Sequence, residues 1–242
     1  MNGPQVQVIA ATVIHLPALY SLTLAATADQ DQGTDMARLI ECAGRTCYSS
    51  YGKGRGSAAF HQHLKEVNHL SVIEHASLSF FISSISRGCS HELVRHRVGT
   101  AISQRSTRYV DESESEWAWH PAIERARGRD SWPLIEVLQQ RAQETYRRLV
   151  ETLEPEVGRK QARGAARGVL GNALATELVL TMNLRAVRHF LELRATDAAD
   201  AEIRLLANRL YEAAQPYCPE WISYPQRDAA DGIGWVIAGG AP

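Results

Sequence analysis

No stretch of this chain approaches the roughly eighteen uninterrupted apolar residues that a membrane span requires. The first residues, Met1 to Gln7, carry neither the basic segment nor the long apolar run of a secretion signal. A cytoplasmic protein is therefore the expectation. Cysteine is scarce. Cys42, Cys47, Cys89 and Cys218 form no Cys-x-x-Cys pair and no Cys/His ligand spacing, which argues against a disulfide frame or structural zinc and for reduced thiols. Neither sign of charge dominates. With 26 basic and 27 acidic residues and a formal net charge of -1, bulk electrostatics give no pull toward DNA, RNA or anionic membrane. Also missing are a phosphate-binding glycine loop, a Gly-x-Ser-x-Gly elbow and a dinucleotide fingerprint. The chain shows no internal repeat and no low-complexity tract.

What is present suits one globular core: 242 residues, 45% of them hydrophobic. Residues 1–225 read as a single domain and 226–242 as a glycine-bearing tail, loose or an edge appendage. Gln5 to Ile14, rich in Val and Ile, predicts a first strand. After a polar stretch from Asp29 to Asp35, the residues Met36, Leu39, Ile40, Ala43 and Cys47 recur as one helical stripe. Ser49 to Gly56 is a Ser/Gly loop, Ser57 to Leu70 a further helix, and Ala76 to Ser84 an alternating strand. Ser86 or Ser90 could cap a short helix that ends in Arg95-His96-Arg97. Val98 to Asp111 is polar and basic with little periodicity. From Trp132 the pattern turns helical, with Leu134, Leu138, Ala142, Tyr146, Leu149 and Leu153 in register. Lys160 to Leu170, Leu178 to Arg194 and Asp200 to Ala214 are the remaining helix candidates. Strands early and helices late, without a βαβ rhythm, argue for α+β rather than a doubly wound sheet.

The densest chemistry lies at Arg95-His96-Arg97 and Ser103-Gln104-Arg105-Ser106-Thr107-Arg108-Tyr109. Arginine's planar fork matches phosphate oxygens and stays charged at any working pH. If the second piece is extended, Gln104, Ser106 and Arg108 share a face that offers an amide, a hydroxyl and a guanidinium. On composition alone a solvated basic loop explains the same residues. A second set comprises Arg163 and Arg167, then Arg185 and His189, each pair four apart on a helix face. Arg188 and Glu192 read as a surface pair. His69, Ser71, Glu74 and His75 precede a strand. Their spacing is not that of a zinc protease, so hydrogen bonding rather than metal is expected.

Together these pieces resemble the flavin-dependent thymidylate synthases, the ThyX family, from about Cys42 to Arg204. The similar segments are "SVIEHASLSFFISSISRGCSHELVRHR", "SQRSTRYV", "QARGAARGVL" and "NLRAVRHFLELRA". The resemblance implies a ThyX-like α+β fold, an antiparallel sheet packed with helices and a mostly helical C-terminal half. It implies a homotetramer with shared active sites, acting on a uracil nucleotide monophosphate. FAD would be the cofactor, with NADPH and methylenetetrahydrofolate as co-substrates. By the same resemblance Ser71, Glu74, Arg95, His96, Arg97, Ser103, Asn183, Arg185, His189 and Leu193 would line the flavin site. Arg87, Glu92, Gln104, Arg105, Ser106, Arg108 and Arg167 would hold the nucleotide. Arg194 would meet the uracil ring and activate it.

Three departures from the family pattern stand out. Eight residues, Val98 to Arg105, separate Arg-His-Arg from Ser106, one more than the signature carries. Ala198 replaces a histidine, and Gly171 replaces a proline. These point to a specialised relative, like the ThyX-like enzymes that methylate UMP in nucleoside-antibiotic pathways. The competing class is a nucleotide- or RNA-binding protein that kept the scaffold and lost catalysis.

Overall fold

The computed structural model describes residues 3–18, 33–130 and 132–239. Residues 29–32 of the expected polar stretch lie outside these. The centre is a four-stranded antiparallel sheet in the order β1 (Gln5–Ala11), β2 (Ser77–Ser86), β4 (Ala175–Asn183), β3 (Thr100–Gln104). In β2 and β4 burial alternates. Leu78, Phe80 and Ile82 face the core together with Leu178, Leu180 and Met182. Each such side chain contributes roughly 1.5–3 kcal/mol relative to exposure, and the period of two fixes the register. Helices α1 (Asp35–Tyr48), α6 (Leu184–Arg194) and α7 (Ala201–Ala214) complete the main core, while α2 (Ser57–Glu66) buries Phe60 and Leu64 against it.

Several boundaries follow from caps. Thr34 accepts from the Ala37 amide at the start of α1. Ser86 accepts from the Cys89 amide and opens α3 (Arg87–Leu93). Asp200 accepts from the Glu202 amide and opens α7. Each cap satisfies an amide that the first helical turn leaves without a partner.

The segment from Leu178 to Arg194, expected to be one helix, is instead strand β4 followed by α6. Leu178, Leu180 and Met182 fit a period of two, and Asn183 marks the junction: its Oδ1 accepts from the Ala186 amide at 2.8 Å. The polar segment after residue 98 contains β3, an edge strand with no fully buried residue and hence no strong apolar signal. The early-strand, late-helix division was therefore too simple, although the α+β class holds.

Helix α4 (Trp132–Val157) packs against α5 (Arg159–Ala166) through Tyr146, Val150 and Ala166. Its expected apolar stripe does not start at Leu134. Leu134 and Leu138 are exposed, and the buried positions of α4 are Trp132, Ala142, Tyr146 and Val150. Trp117 fills the space beside Ala142 and Leu174, and its ring would lie 3.4 Å from a Cβ at residue 171. A Cβ there would make ordinary van der Waals contact with the indole, so the departure at Gly171 has no structural explanation.

Residues 226–239, expected to be loose or an edge appendage, carry a hairpin. β5 (Gln226–Asp228) and β6 (Trp235–Ile237) form a hairpin whose Val236 and Ile237 are buried. Arg204 on α7, almost wholly buried, donates to the carbonyls of Ile233, Thr196 and Ala199 and pairs with Asp231. Asn208 donates to the Trp235 carbonyl and accepts from its amide, both at 2.9 Å. Among the described residues, no helix is long and apolar enough to cross a membrane.

Candidate active site

Helix α3 ends at Leu93, before Arg95-His96-Arg97 rather than within it. The three residues occupy the turn that leads to β3. The amides of Arg95 and His96 donate to the Glu92 and Leu93 carbonyls. The Thr100 hydroxyl closes the turn by donating to the carbonyl of His96 at 2.7 Å. Gly99, at φ +70°, permits the reversal. A Cβ there would lie 2.6 Å from the Asn183 side-chain Nδ2, so only glycine fits. Arg95 and Arg97 project into solvent, whereas His96 is half-buried.

Around this turn the structure gathers residues from four elements. Arg194, at the end of α6, donates through Nε to His96 Nε2 at 3.0 Å and through Nη1 to Glu92 Oε2 at 3.0 Å. His189 lies one helical turn earlier, its ring 6.4 Å from that of His96, and the Phe190 ring lies 4.9 Å from it. Arg185 pairs with Glu74 on the 3-10 turn Leu70–His75, which also carries Ser71, exposed. Asn183 links the Gly99 turn to α6. A guanidinium is always a donor, so His96 must accept at Nε2 and be neutral there. Burial, with Arg194 and His189 adding repulsion, lowers its pKa to about 4. Ser103 and Leu193 lie exposed nearby in sequence, on β3 and α6, and make no side-chain contact that ties them to this group.

A second group surrounds the start of α3. Arg87 donates to the Arg105 carbonyl at 3.3 Å. Its pKa is lowered by burial and by the neighbouring Arg167 and Arg105, an effect that Glu112 opposes. Arg105 donates to Glu112 Oε2 at 3.0 Å and to the Ala175 carbonyl at 2.9 Å. Arg167 donates to the Thr107 hydroxyl at 3.2 Å, and Arg163 to the Tyr109 carbonyl at 2.7 Å. Arg105 thus pairs with a buried carboxylate, and Arg87 lies within electrostatic reach of that carboxylate, of Arg105 and of Arg167. Helix α3 spans both groups, with Arg87 and Glu92 about 7.5 Å apart along its axis.

The shared face expected for Gln104, Ser106 and Arg108 does not form. β3 ends at Gln104, whose side chain turns inward to Ser90 and Thr176. The chain then turns, the Tyr109 and Val110 amides donating to the Ser106 carbonyl, while Arg108 is exposed. Pairing of β3 with β4 is regular from Thr100 to Gln104, so the additional signature residue is not a bulge within the strand. Arg188 does pair with Glu192, at 3.3 Å, yet it is largely buried beside Trp221 and Tyr224 rather than on the surface. Ala198 is exposed.

Sequence reasoning missed Glu112. It is fully buried, its Oε2 also accepts from the Ser115 hydroxyl, and its amide donates to Tyr146 at 3.4 Å. Nothing in the spacing of Glu112 distinguishes it from its exposed neighbours.

Fold and geometry together define an α+β protein with two arginine-rich groups spanned by α3, one of them built around a guanidinium that a neutral histidine and a carboxylate hold in place. Residues 30–220 match the family model described as thymidylate synthase complementing protein. The flavin-dependent thymidylate synthase of Mycolicibacterium vanbaalenii is 42% identical over 218 residues, covering 84% of this chain and 82% of that protein. The enzyme of the same description from Mycobacterium tuberculosis is 43% identical over 196 residues, 75% of each. A thymidylate synthase X from Helicobacter pylori, solved with FAD and dUMP, shares the fold with a TM-score of 0.62 at 23% identity, over 91% of this chain and all of that one. The chain belongs to the flavin-dependent thymidylate synthase family.

Proposed function

We propose that this enzyme methylates carbon 5 of a uracil nucleotide 5′-monophosphate, dUMP and also UMP. FAD is its cofactor, NADPH its reductant and methylenetetrahydrofolate its carbon donor. The observation that carries the reading is the anchoring of Arg194. Its Nε and one Nη1 hydrogen are committed to His96 and Glu92, which fixes the guanidinium plane and leaves Nη2 free to meet a ligand. A guanidinium so held is preorganised to stabilise negative charge on a uracil carbonyl, which raises electron density at carbon 5. No cysteine nucleophile is then required. Arg87, Arg105 and Arg167 supply the cation density that a 5′-phosphate needs, with Glu92, Gln104, Ser106 and Arg108 bordering the nucleotide.

The residues present fit a flavin. Arg95, Arg97 and Arg185 offer forked donors suited to a pyrophosphate, while the neutral His96, with His189, offers flat faces to a ring system. Ser71, Glu74, Ser103, Asn183 and Leu193 complete that side. When bound, the flavin supplies the hydride that completes the methyl group. The chain's own share is to orient the nucleotide, hold the charge and keep His96 unprotonated. Because Ser103 and Leu193 remain exposed in the single chain, a homotetramer in which a second copy closes the site belongs to this reading, as does a cytoplasmic setting and a specialised pathway such as nucleoside-antibiotic synthesis.

Use of UMP rests on the longer segment between Arg97 and Ser106, which gives slack beside the sugar for a 2′-hydroxyl. A second reading, strict use of dUMP, is favoured by Val98, which is 90% exposed and directs the slack outward. Steady-state assays on both nucleotides with NADPH and methylenetetrahydrofolate separate the two. Turnover of UMP is the expected result, and rejection of UMP with dUMP accepted establishes the second. Turnover of neither, by protein that takes up no FAD, removes the proposed activity.

A further inference from the structure

One cleft outside both groups combines positive charge, an unpartnered polar atom and a link to the flavin-side residues. It measures about 520 Å³ and lies between the end of α1, the loop of residues 49–56 and α2. Arg45, Tyr48, Ser50, Lys53, Arg55 and His63 line it, and no carboxylate does.

Its construction starts from Arg45, which is 4% exposed. The guanidinium donates to Glu41 Oε1 at 2.6 Å and to the carbonyls of Ser50, Lys53 and Arg55 at 3.3, 3.3 and 2.8 Å. It also lies 4.5 Å from the centroid of the Phe60 ring. Glu41 is itself consumed, since its Oε2 accepts from the Ser57 hydroxyl at 2.5 Å. One buried ion pair therefore holds three carbonyls of the loop, and the Lys53 and Arg55 side chains are left exposed at the mouth. The Ser50 hydroxyl oxygen is buried and has no hydrogen-bond partner among the described residues. Tyr48 forms one wall, and its hydroxyl is 3.2 Å from His69 Nδ1. His69 leads directly into the turn that carries Ser71 and Glu74. An extended ligand lying across Tyr48 would thus join this cleft to the flavin side of the active site.

We propose that this cleft holds the anionic end of a co-substrate whose other end reaches the flavin side, with Lys53 and Arg55 as its ligands. This rests on the function proposed above, which calls for two such molecules. A phosphorylated dinucleotide carries phosphates, and a folate carries carboxylates on its glutamate tail. Both offer compact groups of oxygen acceptors that a lysine and an arginine match.

The test is direct binding, which needs no turnover. Titration of the protein as purified, at low salt, uses two probes: adenosine 2′,5′-bisphosphate and p-aminobenzoyl-triglutamate. The Lys53→Ala/Arg55→Ala variant should bind one of them at least roughly tenfold more weakly, as expected for loss of charge-assisted hydrogen bonds. The probe affected identifies the source. An Arg147→Ala/Arg148→Ala variant, which removes the same charge from exposed positions on α4, should bind as the parent does. Failure of both probes to bind the parent, equal weakening in the two variants, or binding unchanged in Lys53→Ala/Arg55→Ala overturns the proposal. FAD content and dUMP binding measured on the same samples keep the two readings apart. If both are intact while the probes fail, the cleft assignment alone is lost. If both are absent, the proposed function is lost, whatever the probes show.

Discussion

Glu112 is the residue on which the nucleotide-side arginines depend most, and replacing it by alanine is a demanding test of that geometry. Its carboxylate is fully buried, and its Oε2 receives both Arg105 at 3.0 Å and the Ser115 hydroxyl. Alanine would leave Arg105, which is 24% exposed at the side chain, close to Arg87 and Arg167 without a counter-charge. Removing one partner of a buried pair typically costs about 3–5 kcal/mol. Because Arg105 retains some solvent and its bond to the Ala175 carbonyl, the lower end applies, about 3 kcal/mol. For a chain of this length that is a fall in Tm of roughly 6–12 °C. Glu112→Gln keeps an acceptor for Arg105 and Ser115 while removing the charge, so it should lose less, about half as much. Thermal melts of the three proteins, with and without dUMP, measure both effects. A melting temperature for Glu112→Ala within 2 °C of the parent, on the same roughly 3 kcal/mol expectation, would refute the reasoning that this carboxylate balances the cluster.

The remaining predictions concern protons and thiols. His96 should titrate near pH 4 rather than near 6.5, as read from its imidazole NMR signals. Because the folded value is depressed, its contribution to stability is present above pH 6.5 and is lost as pH falls from there toward 4. A His96 signal titrating near 6.5 would contradict the acceptor role toward Arg194. Cys218 is buried and its thiol is pushed up to about 12, too high to supply a thiolate nucleophile. Cys218→Ser should therefore retain turnover per folded, flavin-loaded molecule. Abolished turnover in such a sample would show the chemistry to be nucleophilic after all.

How much of this was legible beforehand varies by element, for physical reasons. Helix α7 was readable because Asp200 caps it and its apolar stripe is regular. Helix α1 was readable for the same reason, with Thr34 as its cap. The junction at Asn183 was not, because Leu178 to Leu184 is apolar enough to continue either a strand or a helix. Only the cap hydrogen bond to the Ala186 amide decides it. Edge strand β3 was hidden by its own exposure. The Arg-His-Arg segment and Arg194 were singled out through the family resemblance, but their contact was not legible. Residues 98 positions apart meet at 3.0 Å only after β4 and α6 are in place. Gly171 lies against Trp117, a residue 54 positions away in the chain, with no local signal joining them.

The central claim is that Arg194, fixed by Glu92 and His96, activates the uracil ring. The direct measurement is single-turnover methylation of dUMP by Arg194→Ala alongside its FAD content. A preorganised donor of this kind is worth about 3–4 kcal/mol, so the rate should fall on the order of a hundred- to a thousandfold while FAD stays bound. Methylation at close to the parent rate in flavin-loaded Arg194→Ala would contradict the account.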